Sequence, residues 1–273
     1  MDFGWHEGSV TMISPKAKIS EPNMPRMMLT DDDWVRLCEL MKQTGRVYQK
    51  REHRMTLEGI LYRMRTGCPW RDLPAEFGRW NTVFRRFNLW SRKGVMSGVF
   101  KAISRDCDTE WLFIDASIVR AHQHSHGAAS ATDEAIGSSR GGRTTKLHLA
   151  VDSCGLPVHF ELSGGQAHDL SRAQDLIEGA PASEQVIADK GYDSEAFRAA
   201  LEAHGSRAVI PRRKLSRIGN EGMDWGLYKY RHLVENAFAR VKHFRAIATR
   251  YDKLQRNFAS IVALAFVIMW LPM

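Results

Sequence analysis

Leu227-Tyr-Lys-Tyr-Arg-His-Leu-Val-Glu-Asn-Ala-Phe-Ala-Arg-Val-Lys-His-Phe244 is the stretch around which this 273-residue chain is organised. It holds no Pro or Gly, it is rich in helix formers, and its apolar residues recur at helical spacing, so it is expected to be a helix. At roughly 100° per residue, Tyr228, Arg231, Glu235 and Lys242 fall within about 60° of one another. Leu233, Ala237, Val241 and Phe244 lie on the opposite side. One face is expected to pack on a core while the other presents a carboxylate, two cations and a phenol. Taken alone, the pattern is equally that of an amphipathic surface helix with routine charge pairs.

Working outward, the composition is that of a chain with a sizeable core: 44% of residues are hydrophobic and 26% charged. The length suits one large or two modest domains. No apolar run reaches the ~18 residues of a membrane span; the longest, Phe258 to Leu271, is broken by Ser260 and reads as a buried terminal helix. The start shows no basic region followed by an apolar stretch, so no secretory signal is expected. Cys38, Cys68, Cys107 and Cys154 are scattered without C-x-x-C spacing, which argues against a disulfide frame or a cysteine zinc site and suits a reducing cytoplasm. The net charge of +8 is uneven. Residues 1–105 hold 19 Lys and Arg against 11 Asp and Glu, whereas residues 106–273 hold 20 of each. A basic front half suggests a polyanion-binding module; the alternative is a charge that serves solubility.

Residues 1–28 show no periodicity and are expected to form a loose extension. Thr30 is placed to cap a helix with Asp31, Asp32 and Asp33 in its first turn, where the helix dipole favours acids. Trp34, Leu37, Leu40 and Met41 form its stripe, and Gly45 ends it. A second helix begins at Thr56, with Leu57, Ile60, Leu61 and Met64 inward, and stops at Thr66-Gly-Cys-Pro69. A short helix around Asp72 to Phe77, a turn at Gly78 and a helix from Asn81 to Gly94 follow, the last with Val83, Phe84, Phe87 and Trp90 as its apolar face. Helix, turn with Gly, helix has the shape of a helix-turn-helix. The last segment carries Arg79, Arg85, Arg86, Arg92 and Lys93 with no acid, as a helix that enters a DNA groove would. A small bundle with a solvated basic face is the alternative.

Past Cys107 the periodicity becomes that of strands. Trp111-Leu-Phe-Ile-Asp-Ala-Ser-Ile-Val119 is nearly continuous apolar sequence, the mark of a strand buried on both faces. Residues 125–144 are rich in Ser, Gly, Ala and Thr and are expected to be a long flexible loop. Strands are expected at Lys146 to Val151 and Pro157 to Leu162, joined by a turn at Asp152 to Gly155. A helix at Leu170 to Ile177, a strand at Gln185 to Ala188, a helix capped by Ser194 and a strand at Arg207 to Ile210 complete a mixed α/β layer.

Asp115 sits inside a hydrophobic strand, where a carboxylate needs a cation or hydrogen bonds to replace its lost water. Asp189 follows another buried strand, and Glu235 projects from the polar face of the opening helix. Taken singly, each is as readily a cap, turn or salt-bridge residue. Together they can converge at one sheet edge, where three acids would repel one another unless they held divalent metal; hard oxygen ligands suit Mg²⁺ or Mn²⁺. Two such ions about 4 Å apart can activate a water or a 3′-hydroxyl and stabilise the leaving oxygen of a phosphodiester.

Tyr228, two residues, Arg231, three residues, Glu235, six residues, Lys242 resembles the Tyr-Arg-Glu-Lys signature of bacterial insertion-sequence transposases of the DDE type. Phe113-Ile-Asp115-Ala-Ser and Ala188-Asp189-Lys-Gly-Tyr192-Asp resemble the first and second acid motifs of the same group. From about residue 28 the whole chain resembles the insertion-sequence-5 family. The resemblance implies an α/β, ribonuclease-H-like catalytic core over residues 106–273, with Asp115, Asp189 and Glu235 as a triad holding two ions. An all-helical, helix-turn-helix-like DNA-binding domain over residues 29–105 would precede it. Only 45 residues separate Asp189 from Glu235, too few for a large insertion domain. Double-stranded DNA, both transposon ends and target, is the implied partner, with a homodimer on DNA and no membrane. Arg231 and Lys242 could hold phosphates beside the metals, and Tyr228 could stack on a base or support structure. Arg212, Arg213 and Lys214 could guide the strand in or form a solvated loop. His122, His124 and His126 alternate as zinc ligands can, but polar filler is the preferred reading. An endonuclease of the same fold without strand transfer, and a non-enzymatic DNA-binding descendant, remain as alternatives.

Overall fold

The computed structural model describes residues 26–45, 52–125, 134–214 and 216–271. Most of the expected N-terminal extension, His126 and Leu215 lie outside them. Helix α1 (Asp31–Gln43) opens with a capping box: Thr30 Oγ1 accepts the Asp33 N–H at 3.1 Å, and Asp33 Oδ2 accepts the Thr30 N–H at 3.0 Å. This satisfies backbone donors that a helix start leaves open. Helix α2 (His53–Thr66) starts three residues earlier than its sequence suggests and buries Leu57, Ile60, Leu61 and Met64. Its buried Glu58 accepts the Met28 and Leu29 N–H groups, both at 2.9 Å, and so ties the entering chain to the helix. It ends on Gly67 with φ +72°, where a Cβ would stand 3.1 Å from that of Arg245. Glycine there serves both the left-handed cap and the close approach of a later segment.

Two 3-10 turns, Trp70–Asp72 and Ala75–Phe77, replace the expected short helix, because Pro74 lies between them. The connection to α3 (Trp80–Arg92) is therefore a longer bend than a single Gly turn. Val83, Phe87 and Trp90 are buried as expected. Helix α4 (Val95–Ile103) was not expected; Gly94, at φ +64°, turns the chain so that Val95, Met96, Val99, Phe100 and Ile103 go inward.

The remainder is a seven-stranded sheet with helices on it. Strand β1 (Trp111–Ala121) pairs antiparallel with β3 (Gly142–Val151), which pairs antiparallel with β4 (Pro157–Gly164). The short β2 (Gly137–Ser139) forms a hairpin with the start of β3, so part of the expected flexible loop is paired strand. Backbone pairing, not side-chain hydrophobicity, makes that hairpin, which is why a Ser/Gly/Thr-rich composition concealed it. Helix α5 (Ala173–Gly179) leads to β5 (Gln185–Ile187), and α6 (Glu195–Ala203) to β6 (Arg207–Val209); β5 runs parallel to β1 and β6 parallel to β5. Ser194 occupies the N-cap of α6 but its side chain makes no capping bond. The path β4-β3-β1-β5-β6 has the order and directions of a ribonuclease-H-like sheet.

The opening stretch is helical but not one regular helix: α7 (Trp225–Tyr228) passes through a 3-10 turn at Lys229–Arg231 into α8 (His232–Lys242). α9 (Arg245–Ala248) and β7 (Thr249–Arg250) follow, and β7 pairs parallel with the end of β1. The final helix α10 (Gln255–Trp270) is buried along nearly its whole length and touches α3, α4, α9 and β4. One hydrophobic cluster therefore runs from Leu37 and Phe87 through Phe258 and Phe266 to Phe113 and Val241, joining the N-terminal helices to one face of the sheet. A second cluster, with Ile114, Leu176, Val186 and Leu201, lies on the other face under α5 and α6. Among the described residues no helix is long and apolar enough to cross a membrane, and all four cysteines are free thiols.

Candidate active site

β5 covers β1 only at Trp111–Phe113 and β7 only at Arg120–Ala121, so the edge of β1 between them has no neighbouring strand. Asp115 lies in this gap. Phe113 is paired with Ile187, and Asp115 and Asp189 each lie two residues beyond that pair, Asp115 still within β1 and Asp189 just past the end of the parallel β5. Asp189 Oδ1 accepts the Gly191 N–H at 2.7 Å and starts a 3-10 turn. A Cβ on Gly191 would stand 2.8 Å from that oxygen, which explains the glycine.

Helix α8 crosses this edge and buries Val234, Ala237, Phe238 and Val241. That stripe is rotated from the one expected, since Leu233 and Phe244 are only half-buried. Arg231 and Lys242 consequently reach β1, Glu235 stays exposed and meets Arg231, and Tyr228 is half-buried. Arg231 Nη1 donates to Asp115 Oδ2 at 2.8 Å, and its Nη2 contacts Glu235 Oε1. Lys242 Nζ donates to Ser117 Oγ at 2.5 Å. Tyr228 stands edge-on to the exposed Trp225, with ring centroids 5.7 Å apart.

Burial raises the pKa of Asp115, and the neighbouring Asp189 adds to the rise; the Ala116 N–H and the Arg231 charge only partly oppose it. Burial alone lowers that of Lys242. For Arg231 burial acts downward, but Asp115 and Glu235 outweigh it and hold the guanidinium firmly charged. The site thus demands positive charge, and Arg231 supplies it. Among the described residues no three His, Cys, Asp or Glu side chains already stand at metal-binding separation. The Arg231 guanidinium stands between Asp115 and Glu235.

Sequence reasoning passed over Tyr192. It is fully buried, its phenol oxygen has no hydrogen-bond partner, and burial together with Asp115, Asp169 and Asp189 raises its pKa well above normal. Its phenol is thus a buried polar group whose hydrogen-bonding capacity the protein itself does not meet. Asp169 is paired with Lys146 at 2.7 Å.

Other candidates are placed differently. Arg212 contacts Glu195 and lies 3.7 Å from Asp193. The Arg213 N–H donates to Asp193 Oδ2 at 2.8 Å and its side chain reaches the Lys190 and Gly191 carbonyls at 3.4 Å. These two arginines brace the turn after Asp189; Lys214 is exposed. On α3, Arg85 and Arg92 share an exposed line, and Arg79 precedes the helix, also exposed. Arg86 is half-buried against His53, and Lys93 is exposed. His122 stacks on Tyr251 and meets His124 edge-on, while His126 lies outside the described residues.

The sheet and the helices over it define a ribonuclease-H-like protein. Residues 107–270 match the family of the transposase DDE domain, and residues 29–100 match the family described as "Putative transposase of IS4/5 family". The chain belongs to the DDE transposase family of bacterial insertion sequences and is a DNA transposase, with the divalent-metal dependence of that family. Among similar proteins, the uncharacterized protein y4sN of Sinorhizobium fredii is 34% identical over 127 residues, 46% of this chain and 95% of its own. The "Putative transposase for insertion sequence element IS6501" of Brucella ovis is 35% identical over 47% of this chain and 98% of its own. Of solved structures, the piggyBac transposase synaptic complex with hairpin DNA is 10% identical, with TM-score 0.34 over 67% of this chain and 41% of that one. The pre-cleavage Mos1 transpososome is also 10% identical, with TM-score 0.28 over 82% and 79%. Likeness this slight bears no weight.

Proposed function

We propose that Asp115, Asp189 and Glu235 hold two Mg²⁺ or Mn²⁺ ions and that residues 106–273 use them to cut the ends of a transposable element and join them to target DNA. Residues 29–105 bind the terminal inverted repeats, with Arg79, Arg85, Arg92 and Lys93 on phosphates. The observation that carries this reading is Asp115 at the uncovered edge of β1 with Asp189 just past the end of the neighbouring β5, and Glu235 joined to Asp115 through Arg231. The donors fit a hard divalent cation: they are carboxylate oxygens, those of Asp115 and Asp189 partly buried, and those of Asp115 and Glu235 already held on a positive charge.

When bound, such ions supply an activated water or 3′-hydroxyl and neutralise charge on the leaving oxygen. The chain's own residues do the rest. Arg231 and Lys242 lie on either side of Glu235 along the helix, so a strand lying on the β1 edge meets a cation before and after the acids. Water attacks the phosphodiester at the element end, and the bond to the 3′-oxygen breaks to leave a free 3′-hydroxyl. That hydroxyl then attacks a target phosphodiester and displaces its 3′-oxygen, with no covalent bond between protein and DNA. Two ends must be held together, which calls for a homodimer on DNA.

The test is incubation of the protein with its element ends, target plasmid and Mg²⁺, with products read at nucleotide resolution. Cleaved ends and joined products are expected; cleavage without joining would leave an endonuclease. Asp115→Asn and Glu235→Gln should abolish cleavage and spare end binding, and undiminished cleavage by either would discard the triad.

A further inference from the structure

Where α3 meets the segment between β7 and α10 there is an open cleft of ≈ 580 Å³. Its floor is rigid. Arg63 and Asp252, both buried, form a two-pronged ion pair at 3.3 and 3.4 Å, and Trp70 is wedged between the Arg63 guanidinium, 4.5 Å from its centroid, and Phe84 and Phe87. The buried Arg250 clasps the carbonyls of Asp252 and Lys253, fixing the backbone that forms one wall. On the rim stand Arg92, Lys253 and Arg256, all exposed and none in an ion pair among the described residues. Tyr251 borders the cleft with 37% of its surface exposed, its ring stacked on His122 at 4.7 Å.

Among the described residues Asp252 is the one carboxylate lining this cleft, and it is paired with Arg63, so three cations face whatever enters. Unopposed cations around aromatic surface are what a nucleic-acid strand with exposed bases requires: phosphates take the charges and bases take the rings. The volume is in the ~300–1,000 Å³ range of sites that enclose one small group, not the width of a duplex. His122 directly follows β1, about 23 Å along that strand from Asp115 at ~3.3 Å per residue. At ~3.4 Å per nucleotide this is about seven steps of DNA. On the reading of the chain as a DNA transposase, we propose that this cleft binds an unpaired nucleotide of the same DNA, stacking its base on Tyr251 and holding its phosphates on Arg92, Lys253 and Arg256.

The test uses the full-length protein and three fluorescein-labelled probes followed by anisotropy: a twelve-nucleotide thymidine strand, an abasic strand of equal length, and the corresponding duplex. Wild type should bind the thymidine strand more tightly than the abasic one. Tyr251→Ala should weaken the thymidine strand by about 5-fold or more, the fold-change matching the ~1 kcal/mol lower bound for base–aromatic stacking, and leave the abasic strand unchanged. Tyr251→Phe should bind as wild type, and Arg256→Ala should weaken both strands. Equal affinity of wild type for the two strands, or an equal loss on both with Tyr251→Ala, would overturn the proposal. Acid-dependent cleavage of element ends would stand in either case, so the two readings fail separately.

Discussion

Replacing Arg231 by glutamine removes the one cation that bridges Asp115 and Glu235, and the consequence for metal binding can be worked from the geometry. The guanidinium donates to Asp115 at 2.8 Å, and the two side chains are 22% and 19% exposed. For charges about 4 Å apart at an effective dielectric near 20 the attraction is ~4 kcal/mol. A divalent ion entering the site must displace or oppose that charge. Side-chain relaxation and water will erase much of the difference, but a third of it, ~1.4 kcal/mol, is a tenfold change in affinity. DNA-free Arg231→Gln protein should therefore bind Mn²⁺ at least tenfold more tightly than wild type, by calorimetry or by the loss of free Mn²⁺ signal in electron paramagnetic resonance. The same variant should cut element ends more slowly, because it lacks a phosphate contact. Unchanged or weaker Mn²⁺ binding would refute the idea that Arg231 occupies the charge vacancy of this site.

Two further outcomes are expected. Arg85→Ala should weaken binding to duplex element ends and lower the salt slope by about 1, with a smaller effect for Arg86→Ala because that side chain lies against His53; an unchanged slope would remove α3 from the contact surface. Burial, then the charge of Lys146, lowers the His148 pKa from 6.5 to about 4. Because the folded value lies below the unfolded one, the stability involved is fully present above pH 6.5 and is lost as pH falls toward 4, by ~3 kcal/mol at most. Thermal melts of His148→Gln should show a shallower decline across that window, and an identical decline would refute the assignment.

The elements legible in the sequence were those whose side chains carry a period. The stripe Leu57, Ile60, Leu61, Met64 and the unbroken run from Trp111 gave α2 and β1 to within a few residues, and Thr30 with Asp33 gave the start of α1. The α4 helix was hidden in the sequence because Gly94 reads as a helix stop, whereas it turns the chain into a further helix. The β2–β3 hairpin was missed because its residues are small and polar and its order comes from backbone pairing. At the candidate site, spacing selected Arg231, Glu235 and Lys242, yet a helical wheel cannot say which way a helix rolls on its sheet. Contact with β1 at Asp115 and Ser117 decided that. Tyr192 gave no signal, since burial of a phenol in a Gly-Tyr-Asp turn depends on strands far away in the chain.

Helix α10 is packed against α3 and α4 on one side and against β4 on the other, and the Arg63–Asp252 pair rivets α2 to the segment that precedes it. The helices that would grip an element end and the edge that would cut it are thus mounted on one beam. Such a frame works as a fixed caliper: the span from grip to blade is set by the fold, not by a linker. An element whose recognition bases slid by a single pair, ~3.4 Å, would offer the blade the wrong phosphate, so an end sequence and its cut position can drift in evolution only together.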